Sequence, residues 1–382
     1  MWLLGRLAPD HKTIADFRRN NGPALVAACA AFIQFARREQ LIGGAVVAID
    51  GTKIRAVASR KAVGKAPELA AEQQRIEQEV AGYLQQLDEV DREDGQDGPA
   101  TGAVTRAIER LRKRQQEVAG ELERLTNDRA RLSVLTEPQA RAMKGLNGAP
   151  GYNLQTAVDT RSHLIVHHEV CSDTSDVSQL APMAQGAAEA VGTALQVIAD
   201  AGYANGEHLQ ALQELGMTAY VAPARAVNNK GDGSFYDRTA FRYDGQQDCF
   251  TCPASKILRR KQVYSQDKLV IYAASPQDCG TCPNKGQCTS ARQRFVSRHW
   301  HEEALQANAR RVAQAPQMMA LRRQTVEHPF GTIKDGILRN ARLLLRGLPG
   351  ARAELSLAVL AYNLKRVINM IGTRQFLQAM RA

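Results

Sequence analysis

Two short apolar runs, each followed at once by an aspartate, constrain the fold of this 382-residue chain more than any other feature. The first run covers 45–49 and precedes Asp50, and the second covers 197–199 and precedes Asp200. Short runs of this kind, rich in valine and isoleucine, are typical of buried β-strands. A carboxylate at the end of a buried strand loses hydration, which is costly unless a cation compensates it. We therefore predict two core strands that each end at an aspartate, with positive charge beside both.

The segments around these two runs predict a mixed α/β fold. In chain order we expect a strand ending at Asp50, a hairpin of strands over 152–158 and 163–170, a helix over 176–191, the strand ending at Asp200, a helix over 205–215 and a strand over 217–221. The chain before residue 43 and the chain after residue 301 have helical patterns, the latter with a terminal amphipathic helix around 355–371. Helices and strands that alternate in this way indicate a sheet with helices packed on it.

Residues 68–135 carry a narrow apolar stripe on an otherwise charged surface. Apolar residues recur at spacings of four and three in two arms, which a Gly- and Asp-rich break over 91–102 separates. The apolar stripe consists of Ile76, Val80, Tyr83, Leu87 and Val90 in the first arm, and of Val104, Ile108, Leu111, Val118, Leu122 and Leu125 in the second. A heptad stripe in each arm predicts two helices folded back as an antiparallel coiled-coil hairpin. The alternative is an ordinary helical pair packed on the core.

Five of the seven cysteines lie within one polar, short-stranded segment. They are Cys249, Cys252, Cys279, Cys282 and Cys288, and the first four form two Cys-x2-Cys pairs. Two such pairs predict a tetrahedral Zn²⁺ site. Which four of the five sulfurs would bind stays open, and His299 or His301 could compete with them. The alternatives are an unmetallated cluster and an iron–sulfur or redox site.

The net charge of +11 is concentrated in the last third of the chain. Residues 253–382 contain 22 Lys and Arg against 7 Asp and Glu, whereas the preceding residues are slightly acidic. This asymmetry favours a surface that binds a polyanion, and nucleic acid is the usual one, although a solvated basic face is the alternative. No window approaches the roughly 18 consecutive apolar residues of a membrane span. We therefore expect a soluble, cytoplasmic protein without a membrane partner.

A third carboxylate, Glu327, lies in a basic helical segment. Arg323 precedes it by four residues and Lys334 follows it by seven. Two aspartates and a glutamate that meet at divalent metal, with cations beside them, are what phosphoryl transfer on nucleic acid requires. Taken singly, each acid has an ordinary explanation, as a turn or helix cap for the aspartates and as an ion-pair partner for the glutamate.

The motifs that contain these acids resemble those of the DDE transposases encoded by bacterial insertion sequences. The resemblance rests on Asp50-Gly-Thr-Lys53, Gly151-Tyr-Asn-Leu-Gln155, Thr156-Ala-Val-Asp159, Asp200-Ala-Gly-Tyr203, Arg323-x3-Glu327-x6-Lys334, His328-Pro-Phe-Gly-Thr-Ile and Ala361-Tyr-Asn-Leu-Lys-Arg366. Residues 9–18 resemble the amino-terminal helical domain of the cysteine-bearing branch of that family. Two features depart from the pattern. Ala320 stands where many relatives have a tyrosine, and the chain opens downstream of the usual start of the helical domain.

The resemblance implies an RNase H-like mixed-sheet core, with Asp50 on the first strand, Asp200 on the fourth and Glu327 on a following helix. These three carboxylates would be catalytic, would hold two Mg²⁺ ions, and would cleave DNA at element ends and join it to a target. Arg323, Lys334 and Lys53 would contact the DNA. The expected partners are double-stranded DNA, both transposon ends and target, and a second copy of the chain in a homodimer. No small-molecule substrate is expected.

The expected domain organisation follows from these patterns. It comprises a helical segment over 1–42 as part of a DNA-binding domain, core segments over 43–67 and 136–222, the coiled-coil insertion over 68–135, a cysteine-rich, zinc-ribbon-like insertion over 223–300 and carboxy-terminal helices over 301–382. Two other functions remain open. One is a metal-dependent DNA nuclease without strand transfer, and the other is an inactive, truncated relative that only binds DNA or oligomerises.

Overall fold

The computed structural model describes residues 8–93, 99–127, 132–223, 235–266 and 268–381. Its helices are α1 (His11–Asn20), α2 (Gly22–Arg38), α3 (Ala66–Glu93), α4 (Pro99–Asn127), α5 (Leu180–Val191), α6 (Gly206–Glu214), α7 (Pro276–Gly280), α8 (Glu302–Gln314), α9 (Gln317–Gly331) and α10 (Gly347–Ala379). Its strands are β1 (Val46–Arg55), β2 (Val63–Lys65), β3 (Leu132–Val134), β4 (Arg141–Met143), β5 (Ala149–Asp159), β6 (Ile165–Cys171), β7 (Gln196–Ala199), β8 (Thr218–Val221), β9 (Arg242–Asp244), β10 (Cys249–Thr251), β11 (Ile257–Tyr264), β12 (Leu269–Ala273) and β13 (Phe295–His299). Parts of the expected amino-terminal helical segment, of the break over 91–102 and of the cysteine-rich segment lie outside the described residues, as do the side chains of Leu87 and Val90.

A six-stranded sheet forms the centre of the molecule. Strand β1 pairs antiparallel with β5 on one side and parallel with β7 on the other, and β7 pairs parallel with β8. Strand β5 also pairs antiparallel with β6, in the predicted hairpin, and with the short β4. The prediction of a mixed α/β fold is therefore confirmed.

The first aspartate-bearing strand is longer than the sequence pattern indicated. We expected the strand to end at Asp50, but β1 continues to Arg55 and pairs with β5 from Val47, opposite Asp159, to Arg55, opposite Gly151. The alternation of buried side chains continues at Thr52 and Ile54, which explains the extension. Strand β7 does end at Ala199, immediately before Asp200 as predicted.

The two faces of β1 pack against different helices. Val47 and Ile49 belong to an apolar cluster with side chains of α2, α5 and α6. Ala48 belongs to a cluster on the opposite face, together with Val326 of α9. Because side chains alternate along a strand, Asp50 lies on the same face as Ala48. The strand therefore directs Asp50 toward α9.

Helix α10 is attached to the turn between β5 and β6 by side chains of a single segment. The amide of Asn363 donates to the carbonyl oxygen of Ile165 and accepts from its N–H, each at 2.9 Å. The hydroxyl of Tyr362 donates to the carbonyl of His163 at 2.8 Å, and Arg366 Nε donates to that of Ser162 at 2.8 Å. These bonds satisfy backbone groups that would otherwise be buried without partners.

Helices α3 and α4 pack against each other as the heptad pattern predicted. Their shared cluster includes the buried residues Leu69, Ile76, Val118 and Leu125. Arg114 donates to Glu72 across the pair at 3.0 Å. Strand β2, which precedes α3, pairs antiparallel with β3, which follows α4, and so joins the two chain ends of the helical pair. The supercoiled geometry of a coiled coil stays a prediction.

A separate antiparallel sheet lies between β8 and α8 in the chain. Its strand order is β13-β12-β11-β10-β9. The side chains of Phe241, Phe250, Leu258 and Tyr272 form the core of this sheet. Among the helices in the described part of the chain, none is both long and apolar enough to cross a membrane.

Candidate active site

The pairing of β1 with β7 places the two predicted aspartates side by side. In this parallel ladder Val46 lies opposite Gln196 and Ala48 opposite Ile198. The same offset places Asp50 opposite Asp200, one residue beyond the end of β7. Asp200 begins a short 3₁₀ turn, and its carboxylate accepts from the N–H of Gly202 at 2.8 Å.

One arginine contacts both aspartates. Arg322 Nη2 of α9 lies 2.7 Å from Asp50 Oδ2 and 3.3 Å from Asp200 Oδ2. Its side chain is only 16% exposed, and its buried Nε has no hydrogen-bond partner among the described residues. The cation expected beside the strand-end acids is therefore Arg322, which the sequence motifs did not indicate.

Burial dominates the protonation of Asp50. Loss of hydration raises the pKa of Asp50 to about 6, although Arg322 and the hydrogen bond from the Gly51 N–H act in the opposite direction. The negative charges of Asp200 and Asp176 raise that pKa further. Neighbouring carboxylates repel each other when both are ionised, and burial of Asp50 strengthens that repulsion. The site is therefore suited to a bound cation with more charge than one guanidinium.

A third acid, Asp176, lies near Asp50 and was not predicted. It stands in the connection between β6 and α5, and its Oδ1 accepts three hydrogen bonds. The donors are Lys53 Nζ at 2.8 Å, Asn153 Nδ2 at 2.7 Å and Gln155 Nε2 at 2.6 Å. Asn153 and Gln155 are fully buried on β5. Buried amides require polar partners. Two amide residues within one core strand were therefore the sequence signal that could have indicated a polar partner such as Asp176.

The same network extends to Tyr203 and explains a glycine. The buried hydroxyl of Tyr203 donates to Gln155 Oε1 at 2.5 Å. A side chain at Gly51 would overlap Gln155 Nε2 and would lie 2.8 Å from Asp176 Oδ1. Close approach of β1 to this network therefore requires glycine at position 51.

Glu327 lies on α9, as predicted, but outside this contact network. Its side chain is exposed and forms no hydrogen bond or ion pair with any described residue. At about 100° per residue, Glu327 lies roughly 140° around the helix from Arg322. In the described ranges no three His, Cys, Asp or Glu side chains already surround one metal-binding point. The metal-binding role of Glu327 stays a prediction.

The three predicted DNA contacts have different surroundings. Arg323 is exposed on α9. Lys334 lies in the π-helix Thr332–Ile337 that continues α9, where burial lowers its pKa against the opposing influence of Asp335 and Asp50. Lys53 is 15% exposed and is paired with Asp176. Of the three, Arg323 is the most accessible to a ligand, and Lys53 is already engaged within the protein.

Four of the five clustered cysteines line one small cavity. They are Cys252, Cys279, Cys282 and Cys288. Cys249 is instead buried within β10. His299 and His301 lie beside Gly206, at the start of α6.

Comparison with known proteins identifies the family. The family model described as "Transposase DDE domain" matches residues 43–364, more than four fifths of the chain. The chain therefore belongs to the DDE transposase family, and the resemblance inferred from its motifs is confirmed. Searches of curated proteins and of solved structures found no match.

Proposed function

We propose that this protein is an insertion-sequence DNA transposase that uses Asp50, Asp200 and Glu327 to cleave DNA at element ends and to join it to a target. The observation that carries the proposal is the meeting of Asp50 and Asp200 at matched positions of neighbouring parallel strands within the family domain. The order β6-β5-β1-β7-β8, with only the β1–β7 and β7–β8 pairs parallel among these neighbours, supports an RNase H-like core.

The residues at this point fit Mg²⁺. Carboxylate oxygens are the ligands that Mg²⁺ prefers. The place where Asp50 and Asp200 meet already accommodates one cation, the guanidinium of Arg322. When bound there, Mg²⁺ would activate the attacking water or DNA 3′-hydroxyl and would stabilise the leaving oxygen.

The protein's own residues then have separate tasks. Asp50 must lose its proton before it can act as a ligand, and its pKa of about 6 allows this at neutral pH. Arg322 must withdraw from the two carboxylates, which frees a guanidinium close to the phosphate that is attacked. Arg323 and Lys334, on the same continuous helical segment, would hold the neighbouring phosphates.

A basic strand outside the central sheet supports DNA as the substrate. Strand β11 exposes Arg259, Arg260 and Lys261 in succession. Lys261 lies 4.8 Å from the ring centroid of Phe295, which is itself partly exposed. Clustered cations beside an accessible aromatic ring suit the phosphates and bases of a nucleic acid. Action on two element ends makes a homodimer part of the proposal.

The direct test uses the full chain and a plasmid that carries the DNA on both sides of its coding sequence. With Mg²⁺ we expect cleaved ends and covalently joined products, and with EDTA neither. Nicked DNA without joined products would indicate a nuclease instead. Retarded but uncut DNA would indicate a protein that only binds DNA, and either result would overturn the proposal.

Arg322→Met should make the stability of the protein depend on divalent metal. Without the guanidinium, Asp50 and Asp200 repel each other, so we expect the free energy of unfolding in EDTA to fall by about 1–3 kcal/mol. Mg²⁺ or Mn²⁺ should raise the melting temperature of this variant more than that of the wild type. Arg310→Met, at an exposed position of α8, is the matched control and should behave as the wild type. An equal response to metal in the wild type and Arg322→Met would contradict the prediction.

A further inference from the structure

We propose that Cys252, Cys279, Cys282 and Cys288 bind one Zn²⁺ ion and that Cys249 does not. The four residues line a cavity of about 20 Å³, which is close to the volume of a single small ion or water. None of them forms a disulfide. The site lies at the edge of the β9–β13 sheet and does not depend on the proposed transposase activity.

Three chain segments bring these four thiols together. Cys252 follows β10, Cys279 lies in α7, and Cys282 and Cys288 lie in the turns after α7. All four line the same cavity, and Cys252, Cys279 and Cys288 pack against the same apolar cluster, so the thiols are near neighbours. Four sulfurs from these three segments can surround one ion tetrahedrally, which is the arrangement that structural Zn²⁺ sites use.

Strand geometry excludes Cys249 from this set. Cys249 opens β10, and residues three apart in an extended chain point to opposite faces. Phe250 points into the core of the sheet, and Cys252 packs against the same cluster. Cys249 is buried on the other face, where its Sγ lies 3.9 Å from Gln247 Oε1. The Cys-x2-Cys spacing at 249–252 therefore supplies one ligand and not two.

A hydrogen-bond donor and basic side chains surround the cavity. The backbone N–H of Lys256 donates to Cys252 Sγ at 3.3 Å, across a turn in which Ser255 has a φ of 61°. Lys256, Lys285 and Arg294 also line the cavity. A Zn²⁺ ion with four thiolates would carry a net charge of −2, which Lys285 and Arg294 would offset, whereas Lys256 pairs with Asp278, which also lines the cavity. A donated N–H further stabilises a negatively charged sulfur.

Binding requires the four side chains to turn into the cavity that they line. In the part of the chain that the structure describes, no three potential ligands are already arranged around a metal-binding point. As each thiol becomes a ligand, its proton passes to solvent, so binding releases protons and weakens at low pH. The bound ion would tie α7 and its following turns to the end of β10.

The test compares two cysteine-to-serine variants of the full chain. We expect about one equivalent of zinc per wild-type chain after gel filtration. Cys249→Ser should retain that equivalent, whereas Cys288→Ser should retain less than about one tenth of it. Substitution with Co²⁺ should give the visible and near-ultraviolet bands of tetrahedral thiolate coordination in the wild type and Cys249→Ser alone. Far-ultraviolet circular dichroism checks that each variant is folded.

A second measurement covers the case in which Cys288→Ser does not fold. Wild-type protein stripped by a chelator should regain its melting temperature on addition of ZnCl₂ alone, and not of MgCl₂. The proposal would be overturned if the folded wild type contained no zinc and its melting temperature did not change on addition of ZnCl₂. Zinc lost equally from Cys249→Ser and Cys288→Ser, both folded, would overturn the assignment of ligands.

Discussion

Asp50→Asn should abolish Mg²⁺-dependent DNA cleavage and at the same time make the protein more stable. Asparagine keeps the size of the side chain and its place beside Arg322, but it removes the negative charge that a metal requires. Loss of a carboxylate that acts at the reacting centre reduces rates by roughly 10³–10⁴-fold. Because the side chain is buried on the α9 face of β1, the same substitution removes a charge that the fold holds at a cost.

The expected gain in stability depends on pH in a defined way. The pKa of Asp50 rises from 3.8 to about 6 on folding. The folded protein thus binds this proton more tightly than the unfolded chain, and wild-type stability falls as the pH rises from about 4 to above 6. Asp50→Asn lacks this ionisable group, so its stability should not fall in the same way as the pH rises. Two pKa units correspond to about 3 kcal/mol, so we expect the variant to be about 2–3 kcal/mol more stable at pH 7.5 and no more stable near pH 4.

Asp200→Asn is the matched control. It should lose cleavage to the same extent, but its side chain is 46% exposed, so removal of its charge should bring little stability. Urea denaturation in EDTA at pH 7.5 and pH 4 measures the stability of both variants. Cleavage retained by Asp50→Asn, or a variant less stable than the wild type at pH 7.5, would contradict our account of this carboxylate.

Much of the central sheet was predictable because its signals are local. The apolar runs before Asp50 and Asp200, and the strand-forming segments over 152–158 and 163–170, are patterns within a few residues of sequence. The end of β1 was predicted wrongly because Gly51 and Lys53 look like the start of a loop. In the structure, Gly51 allows close approach to Gln155, and Lys53 pairs with Asp176 in the connection between β6 and α5. Both contacts depend on tertiary packing, and neither produces a periodic pattern in the sequence.

The remaining features of the site depend on which face a residue occupies. Arg322 and Arg323 are neighbours in the sequence, and the sequence motif drew attention to Arg323. The rotation of α9 instead directs Arg322 to the two aspartates. Asp176 lies in a connection without hydrophobic periodicity, and its three donors are 21 to 123 residues away in the chain. Sequence spacing could not anticipate these contacts, because each requires the packing of separate elements.

Glu327→Gln and Asp176→Asn together should show which carboxylate completes the site. Both are candidate third acids, since Glu327 carries the sequence motif and the charge of Asp176 is one of those that raise the pKa of Asp50. We expect Glu327→Gln to reduce Mg²⁺-dependent cleavage by roughly 10²–10³-fold or more. Its free energy of unfolding should change by less than about 0.5 kcal/mol, because the side chain is exposed and unpaired within the described residues.

Asp176→Asn should instead lower the stability of the protein and leave cleavage by the folded protein intact. Its carboxylate accepts from Lys53, Asn153 and Gln155, and its loss leaves a largely buried ammonium without its partner. We expect a decrease of about 2–4 kcal/mol in the free energy of unfolding. Protein that remains folded at low temperature should still cleave DNA. Glu303→Gln, at a 90% exposed position of α8, is the control for Glu327→Gln and should retain cleavage.

The expected effects of Glu327→Gln and Asp176→Asn distinguish a metal ligand from a positioning residue, because the two variants should differ in protein stability as well as in cleavage rate. A residue that only supports β1 and β5 affects cleavage through the population of folded protein, so cooling restores its activity. A metal ligand affects the reaction itself, so cooling does not restore it, and Mn²⁺ affinity falls with the rate. If folded Asp176→Asn were inactive while Glu327→Gln cleaved DNA normally, the third ligand would be Asp176. If Glu327→Gln instead loses cleavage as expected, the exposed position of Glu327 on α9 would be its working position, on the surface that faces DNA.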